Sequence, residues 1–392
     1  MLLKAMVVAS ISLVMYSYFL YPLLLALVAA WVQIRSDANF VWRKFDRRHV
    51  ADVRLPNVAI VISAFNEERH IAHRIRNILA LDYPQEQLCC YIGSDGSVDA
   101  TGSILTSFED ARLRTFVFTE NRGKASVLND LVSRTSEPIL IFSDANTFFD
   151  AQAVRRLVAH FGDSSVGGVS GELRLKASSG DNQDGLYWRI EQLLKFFESR
   201  VGGLLGANGA IYSIRRSLWR PLKSDTICDD FCIGMNVTAD ARLVYEPAAW
   251  AEEETPENIG DEYGRRVRIG IGNFQALFRH PEYFTERSWA TRFTYFSHKI
   301  LRWVSPHLLM VGLVGSLILG FQSSGWLIFA ELQIFAYGGS AWVYRLSREG
   351  VRLPTLFKIL AFLFALNWAF LVASWRYVTN QYTGGAWGRS SR

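Results

Sequence analysis

The sequence predicts an α/β domain, a mostly parallel central sheet flanked by helices, joined to α-helical transmembrane segments near both ends of the chain. Three observations predict it. Short β-branched runs alternate with helix-period runs between residues 58 and 142. Long uncharged stretches lie toward both ends. The 392 residues are 50% hydrophobic and only 20% charged, below the roughly 25% charge of an ordinary soluble domain. That composition excludes intrinsic disorder, a disulfide-stapled mini-protein and a collagen-like fibre.

Residues 5–34 contain no Asp, Glu, Lys or Arg. A bilayer core needs about 20 apolar residues, so this run spans one with tilt or a kink at Pro22. It is longer than the roughly 7–15-residue core of a cleaved signal, and no small-x-small site follows it, so residues 1–34 read as a retained anchor. Arg35, Arg43, Lys44, Arg47, Arg48 and Arg54 crowd the linker at 35–55, whereas Lys4 stands nearly alone before the span. The positive-inside rule then expects the linker and the domain after it on the cytoplasmic side. A second apolar region, 303–344, reads as a hairpin of two spans turning at Ser324-Gly325. Its one acidic residue, Glu331, is expected to face another helix rather than lipid. A third run, 353–375, has only Lys358 charged, so about three helices are expected within 303–376. Arg345, Arg348 and Arg352 between the last two runs fit the cytoplasmic side. The tail, 377–392, stays open: either the last run is re-entrant or interfacial and keeps Arg376, Arg389 and Arg392 inside, or the tail lies outside against the rule.

The middle, 56–255, alternates strand and helix. Residues 58–63 form a continuous apolar run suited to a strand buried on both faces. Asn66-Glu67-Glu68 opens a helix with Ile71, Ile75, Ile78 and Leu79 at helical spacing, ending before Asp82-Tyr83-Pro84. A strand at 88–92, a helix at 100–108, a strand at 114–118, a helix at 124–132 and a strand at 138–142 follow, the signature of a three-layer α/β fold. In such sheets ligands bind beyond the carboxyl ends of the strands. Those ends read Ala64-Phe65-Asn66-Glu67, Ser94-Asp95-Gly96-Ser97-Val98-Asp99, Glu120-Asn121-Arg122-Gly123-Lys124 and Ser143-Asp144-Ala145-Asn146. No G-x-G-x-x-G follows the first strand and no Walker-type loop is present, so dinucleotide oxidoreductases and P-loop NTPases fit poorly. Carboxylates with one lysine suit a nucleotide held partly through Mg²⁺ or Mn²⁺, hard cations that bridge oxygen ligands and phosphates. Taken singly, Asp95 and Asp144 read equally as turn or helix-capping residues. Cys89, Cys90, Cys228 and Cys232 read as reduced packing residues.

Four motifs in order carry a resemblance: Ala59-Ile60-Val61-Ile62-Ser63-Ala64-Phe65-Asn66-Glu67-Glu68, Gly93-Ser94-Asp95-Gly96-Ser97-Val98-Asp99, Gly123-Lys124 heading a helix, and Phe142-Ser143-Asp144-Ala145-Asn146. Together they resemble the nucleotide-binding half of family 2 glycosyltransferases, which have the GT-A fold and use nucleotide-activated sugars. The resemblance covers about residues 56–280 and the membrane layout. It implies uracil and ribose contacts near Ala64, Asn66, Glu67 and Asp95, and a diphosphate contact from Lys124. It also makes Asp144 the first Asp of a D-x-D metal motif whose second ligand here is Asn146, an amide with one charge fewer. The loop Gly206-Ala207-Asn208-Gly209 reads either as a hairpin turn or as backbone approaching a ligand, with Asn208 at the acceptor side. Inverting transfer needs a base for the acceptor hydroxyl proton. The family places it second in an acidic pair that starts a helix, which falls on Asp230, with Asp229 in place of the more usual Glu; the plainer alternative is an N-cap.

A departing diphosphate needs nearby cations, and arginine suits bidentate phosphate contact, which points to Arg265, Arg266 and Arg268. In hyaluronan, chitin and cellulose synthases a Gln-x-x-Arg-Trp motif occupies this place. Arg265 then falls at the Gln, Arg268 at the Arg and Ile269 at the Trp, so the aromatic platform is absent. A basic interfacial helix is the rival reading. Residues 256–302 interleave Arg279, Arg287, Arg292, His298, Lys299 and Arg302 with aromatics, and read as amphipathic interfacial helices rather than a nucleic-acid surface. The resemblance thus implies an integral-membrane, inverting, metal-dependent enzyme moving sugar from a nucleotide sugar, a UDP-sugar first, to a growing polysaccharide. Single transfer to a lipid-linked acceptor and a non-catalytic sugar-nucleotide-sensing scaffold are the alternatives.

Overall fold

The N-terminal apolar run folds as two collinear helices, α1 (Leu2–Met15) and α2 (Tyr21–Arg43), joined by a π-turn at Tyr16–Leu20. Pro22 accounts for the turn: it has no N–H and its ring crowds the carbonyl four residues back, so the helix widens just before it. Helix α2 runs on beyond residue 34 into the basic linker, where Arg35 lies over the Trp31 ring. The computed structural model describes residues 1–43, 55–176, 185–254, 259–351 and 353–382. Lys44, Arg47, Arg48, Arg54, Arg352, Arg389 and Arg392 therefore lie outside the described residues.

The expected alternation follows as β1 (Val58–Ala64), α3 (Ile71–Leu79), β2 (Leu88–Asp95), α4 (Thr101–Ser107), β3 (Leu113–Phe118), α5 (Lys124–Ser133) and β4 (Ile139–Phe142). Strand β1 is buried along its whole length between parallel neighbours β2 and β4, as its unbroken apolar run requires. The chain continues through β5 (Thr147–Phe149), α6 (Ala153–Ala159), β6 (Val166–Lys176), α7 (Gly185–Val201), β7 (Tyr212–Arg215), α8 (Asp229–Val237) and β8 (Arg242–Glu254). One eight-stranded sheet results, in the order β3-β2-β1-β4-β7-β6-β8-β5. It is mixed: β1–β2, β1–β4, β2–β3 and β6–β8 pair parallel, while β4–β7, β6–β7 and β5–β8 pair antiparallel. The reason lies in α7, which does not cross the sheet but packs along α2. The chain so returns to the end where β6 stopped, and β7 must run the other way.

Helices α9 (Ile259–Arg279), α10 (Glu282–Thr285) and α11 (Trp289–Thr294) lead through a second π-turn, Tyr295–Ile300, into α12 (Leu301–Gly320), α13 (Ser324–Arg348) and α14 (Thr355–Val378). Among the described residues three helices are long and apolar enough to cross a membrane: Leu2–Trp42, Trp289–Gly320 and Thr355–Val378. The hairpin turn falls at residues 321–323, with Ser323 at the N-cap, so Ser324 and Gly325 belong to α13. Glu331 is exposed on α13 instead of facing a helix. Two residues on, about 200° around the helix, Gln333 is buried and its Nε2 donates to Ser316 Oγ of α12 at 3.0 Å.

The sheet and the membrane helices share a core. Leu128 of α5, Ile233 of α8, Phe274 of α9, Trp303 of α12 and Phe370 of α14 belong to one buried apolar cluster. A buried polar knot ties the other side. Glu198 of α7 accepts from Tyr21 Oη at 2.8 Å and bonds His298 Nδ1, while Glu191 pairs with His298 Nε2 at 3.2 Å and with Arg302. Each of these side chains is bonded to another member of the knot.

Helix α1 rests on α12 where glycine makes room. A Cβ at Gly312 would meet Ile11 Cδ1 at 2.7 Å, and one at Gly315 would meet Val7 Cγ2 at 2.4 Å. Gly315→Val is expected to push the two helices apart and destabilise the protein by about 1–3 kcal/mol. A lowered apparent melting temperature in detergent checks this. Gly338→Val, where nothing lies within 4 Å of an added Cβ, should leave it unchanged.

Candidate active site

The first two strand ends are laced to each other. Asn66 holds a left-handed φ of 56°, a conformation asparagine tolerates, and its Oδ1 accepts from Val98 N–H at 2.9 Å. Glu67 N–H donates to Thr101 Oγ1 at 2.8 Å, and Glu68 and Asp99 each accept from the other loop's backbone. These bonds make a rigid rim at the carboxyl edge of the sheet. The Ala64 side chain is buried in the core beneath this rim, and Glu67 is 6% exposed.

Asp95 is fully buried, and its two oxygens accept from Arg122 N–H at 2.8 Å and Gly123 N–H at 2.9 Å. It fixes the turn that launches α5 and so aims Lys124. Asp95 is the last residue of β2, and the turn that starts α5 folds back over it.

Lys124 is the centre of the site. Its Nζ lies 2.9 Å from Asp144 Oδ1, at the end of β4, and 3.1 Å from Asp229 Oδ2, at the start of α8. Burial alone would lower the ammonium's pKa, but Asp144 and Asp229 outweigh it and hold the group charged well above its ordinary range. Beside this pair Asp230 Oδ2 accepts from Gly209 N–H at 3.0 Å and Oδ1 from Phe231 N–H at 2.8 Å. Burial first, then the charge of Asp229, raises its carboxyl to about 6, against the pull of Lys124 and the Phe231 amide. Buried Tyr212 Oη finds no hydrogen-bond partner here and feels the charges of Asp229, Asp230 and Asp144.

Asp144 and Asn146 flank buried Ala145 and share the open side. Asn146 Nδ2 donates to Glu253 Oε1 at 3.0 Å. Among the described residues no three His, Cys, Asp or Glu side chains converge as a complete metal cage would need. One carboxylate and one amide oxygen on an open side do fit a hard cation that completes its shell with phosphate and water oxygens.

Residues 59–235 match the family model described as glycosyl transferase family 2. The chain carries a glycosyl transferase family 2 domain. It is 27% identical over 235 residues to a poly-beta-1,6-N-acetyl-D-glucosamine synthase of Staphylococcus epidermidis, covering 58% of this chain and 57% of that protein. The corresponding synthase of Staphylococcus aureus is 27% identical over 237 residues, covering 57% and 56%. The chain thus spans little more than half the length of these relatives. The fold as a whole is similar to that of the mannosyltransferase PcManGT from Pyrobaculum calidifontis, solved in complex with GDP-Man and Mn²⁺. The TM-score is 0.72 at 18% identity, covering 97% of this chain and 100% of that one.

In this family 2 domain the glycine loop serves the acidic pair. Asn208 N–H donates to Ser170 Oγ at 3.0 Å, which docks the loop on β6. A Cβ at Gly209 would sit 3.1 Å from Asp230 Oδ2. The arginines of α9 divide. Arg266 lies over the Phe362 ring of α14 at 4.5 Å. Arg265 is half-buried, and exposed Arg268 is the one whose charge reaches Cys228, next to the acidic pair. Helix α9 touches the pair's approach directly, since Ile269 O accepts from Cys228 Sγ at 3.5 Å. All four cysteines are free thiols, as expected.

Sequence reasoning missed Arg74, fully buried under the end of β4, where Nη2 donates to Ser143 Oγ at 3.0 Å and Nη1 to Asn77 Oδ1 at 2.6 Å. Burial lowers its guanidinium to about 10, opposed by Cys90 and Asp144. Its signal was present: Arg74 sits on the Ile71, Ile75, Ile78 stripe that faces the core.

Gly234 of α8 is packed so closely that a Cβ would lie 2.6 Å from Gly206 Cα and 2.8 Å from Ala207 N. Backbone cannot yield as a flexible side chain can, so Gly234→Ala is expected to displace the loop and Asp230 with it. Sugar transfer should fall about tenfold or more, the equivalent of about 1.4 kcal/mol, while calorimetric binding of the nucleotide stays near its starting value.

Proposed function

We propose that this protein is a membrane-embedded inverting glycosyltransferase that moves sugar from a nucleotide sugar, a UDP-sugar first, to a growing polysaccharide. One observation carries the reading: Lys124 bridges Asp144 and Asp229 while Asp230, held by the Gly209 amide, stands beside them as a carboxylate of raised basicity. Asp230 takes the proton from the acceptor hydroxyl as that oxygen attacks the anomeric carbon. Lys124 offers its ammonium to the departing diphosphate. Asp144 and Asn146 would hold Mg²⁺ or Mn²⁺, which supplies further positive charge to the same leaving group. The laced rim at Asn66 and Glu67 bounds the nucleoside side, and the charge of Arg268 on α9 reaches Cys228, next to the acidic pair.

The polymer reading is supported by the likeness to proteins named poly-beta-1,6-N-acetyl-D-glucosamine synthases and by the apolar helices packed under the acidic pair. The basic residues 35–54 support a catalytic domain on the cytoplasmic side. Ile269, standing exposed where polymer synthases carry an aromatic platform, favours the second reading of a single transfer onto a lipid-linked acceptor.

Purified protein with single donors, UDP-N-acetylglucosamine, other UDP-sugars and GDP-mannose, tests both by product mass spectrometry. A ladder of products is the expected outcome. A single adduct selects the lipid-acceptor reading, and no turnover of any donor with Mg²⁺ or Mn²⁺ overturns the enzymatic one. Asp230→Asn should cost about 10²–10⁴ in kcat. Because the base works only when deprotonated and its carboxyl sits at about 6, kcat/KM should be flat above neutrality. Below about pH 6 it should fall about tenfold per unit, a limb that a pH profile reads directly.

A further inference from the structure

Position 146 poses a chemical question, because an amide has one end that coordinates cations and one that repels them. A carboxylate only accepts hydrogen bonds, so the end of Asn146 that faces Glu253 must be Nδ2. The carbonyl oxygen is then the end of the amide not engaged by Glu253, and Asn146, like Asp144, is partly exposed beside buried Ala145. Glu253 reaches this place through the sheet: Thr147 of β5 stands directly opposite Glu253 of β8 in an antiparallel pair. At 7% exposure Glu253 is held in place by its surroundings.

We propose that Glu253 is a positioning residue that locks the Asn146 amide with its oxygen toward the cation of the nucleotide-sugar complex. The proposal rests on the reading that a divalent cation binds at Asp144 and Asn146. Outer partners of this kind orient a ligand without touching the metal, and their loss weakens metal binding by about 10–100-fold.

The test is Mn²⁺ binding to the full-length protein, read by electron paramagnetic resonance of free Mn²⁺ at saturating UDP, with no turnover involved. Glu253→Gln keeps an acceptor for Nδ2 and should bind Mn²⁺ within about threefold of the unaltered protein, whereas Glu253→Ala should lose about 10–100-fold. Unchanged binding in Glu253→Ala overturns the proposal. So does a Gln variant as weak as the Ala variant, which would make the charge of Glu253 a direct ligand. If the unaltered protein binds no Mn²⁺ with UDP, the cation reading falls and the proposal with it. Should Glu253→Ala fail to fold, Glu253→Met, which keeps the side chain's length but offers Nδ2 no acceptor, should show the same loss of about 10–100-fold, and unchanged Mn²⁺ binding in it overturns the proposal.

Discussion

One ammonium group joins the two halves of this molecule. Lys124 opens α5, and it pairs with Asp144 from the parallel half of the sheet and with Asp229 from the helix that follows the mixed half. Three chain segments far apart in sequence bring their charged groups together there. Its aim is set from beneath, since Asp95 spends both oxygens on the turn that carries it. Without that turn the lysine has no fixed direction. Without the lysine, Asp144, Asp229 and Asp230 would confront one another in a poorly solvated pocket, where like charges are costly.

The acidic pair also has a back, and it rests on the membrane helices. Phe231, next to Asp230, meets Tyr295 of the second π-turn at 6.0 Å and Trp303 of α12 at 5.8 Å, ring centre to ring centre. From the other side α9 packs on Cys228 with one face and on α14 with the other, where Gly270 lies against Ala373. Among the described residues a single packed core runs through both sheet and membrane helices. The π-turns at Tyr16–Leu20 and Tyr295–Ile300 face each other beside that core, with Ser17 Oγ donating to Ser297 O at 2.8 Å. Widened turns free backbone groups for such bonds, which a regular helix would consume internally.

What the sequence made legible follows the range of the interactions. Each donor-side motif lies within one strand, loop and helix, so hydrophobic period and turn chemistry expose it, and the strands from Val58 to Phe142 stand where they were expected. Which carboxylate faces a ligand was less legible. Asp95 and Asp144 look alike in sequence, yet one is buried under a turn and the other lies open, a difference set by what folds back over each strand. The mixed half of the sheet was illegible because β5 and β7 are too short to show a period, and because α7 leaves the sheet for α2. Asn146 and Glu253 lie 107 residues apart and meet only through that half. Arg74 belongs to another class: it was readable as a charge on an apolar stripe.

The raised basicity of Asp230 shows why these layers must act together. Burial and Asp229 push its carboxyl up, while Lys124 and the Phe231 amide pull it down, and the balance falls at about 6. At that value the group is deprotonated near neutrality yet more basic than an exposed aspartate, the compromise that general-base chemistry favours. Were Lys124 displaced, one opposing pull would vanish and the carboxyl would rise further, toward protonation at the working pH. Under the proposed mechanism, the lysine that faces the leaving diphosphate therefore also keeps the base in its working form. Donor side and acceptor side are not independent halves that happen to adjoin, because a single side chain sets the electrostatics of both.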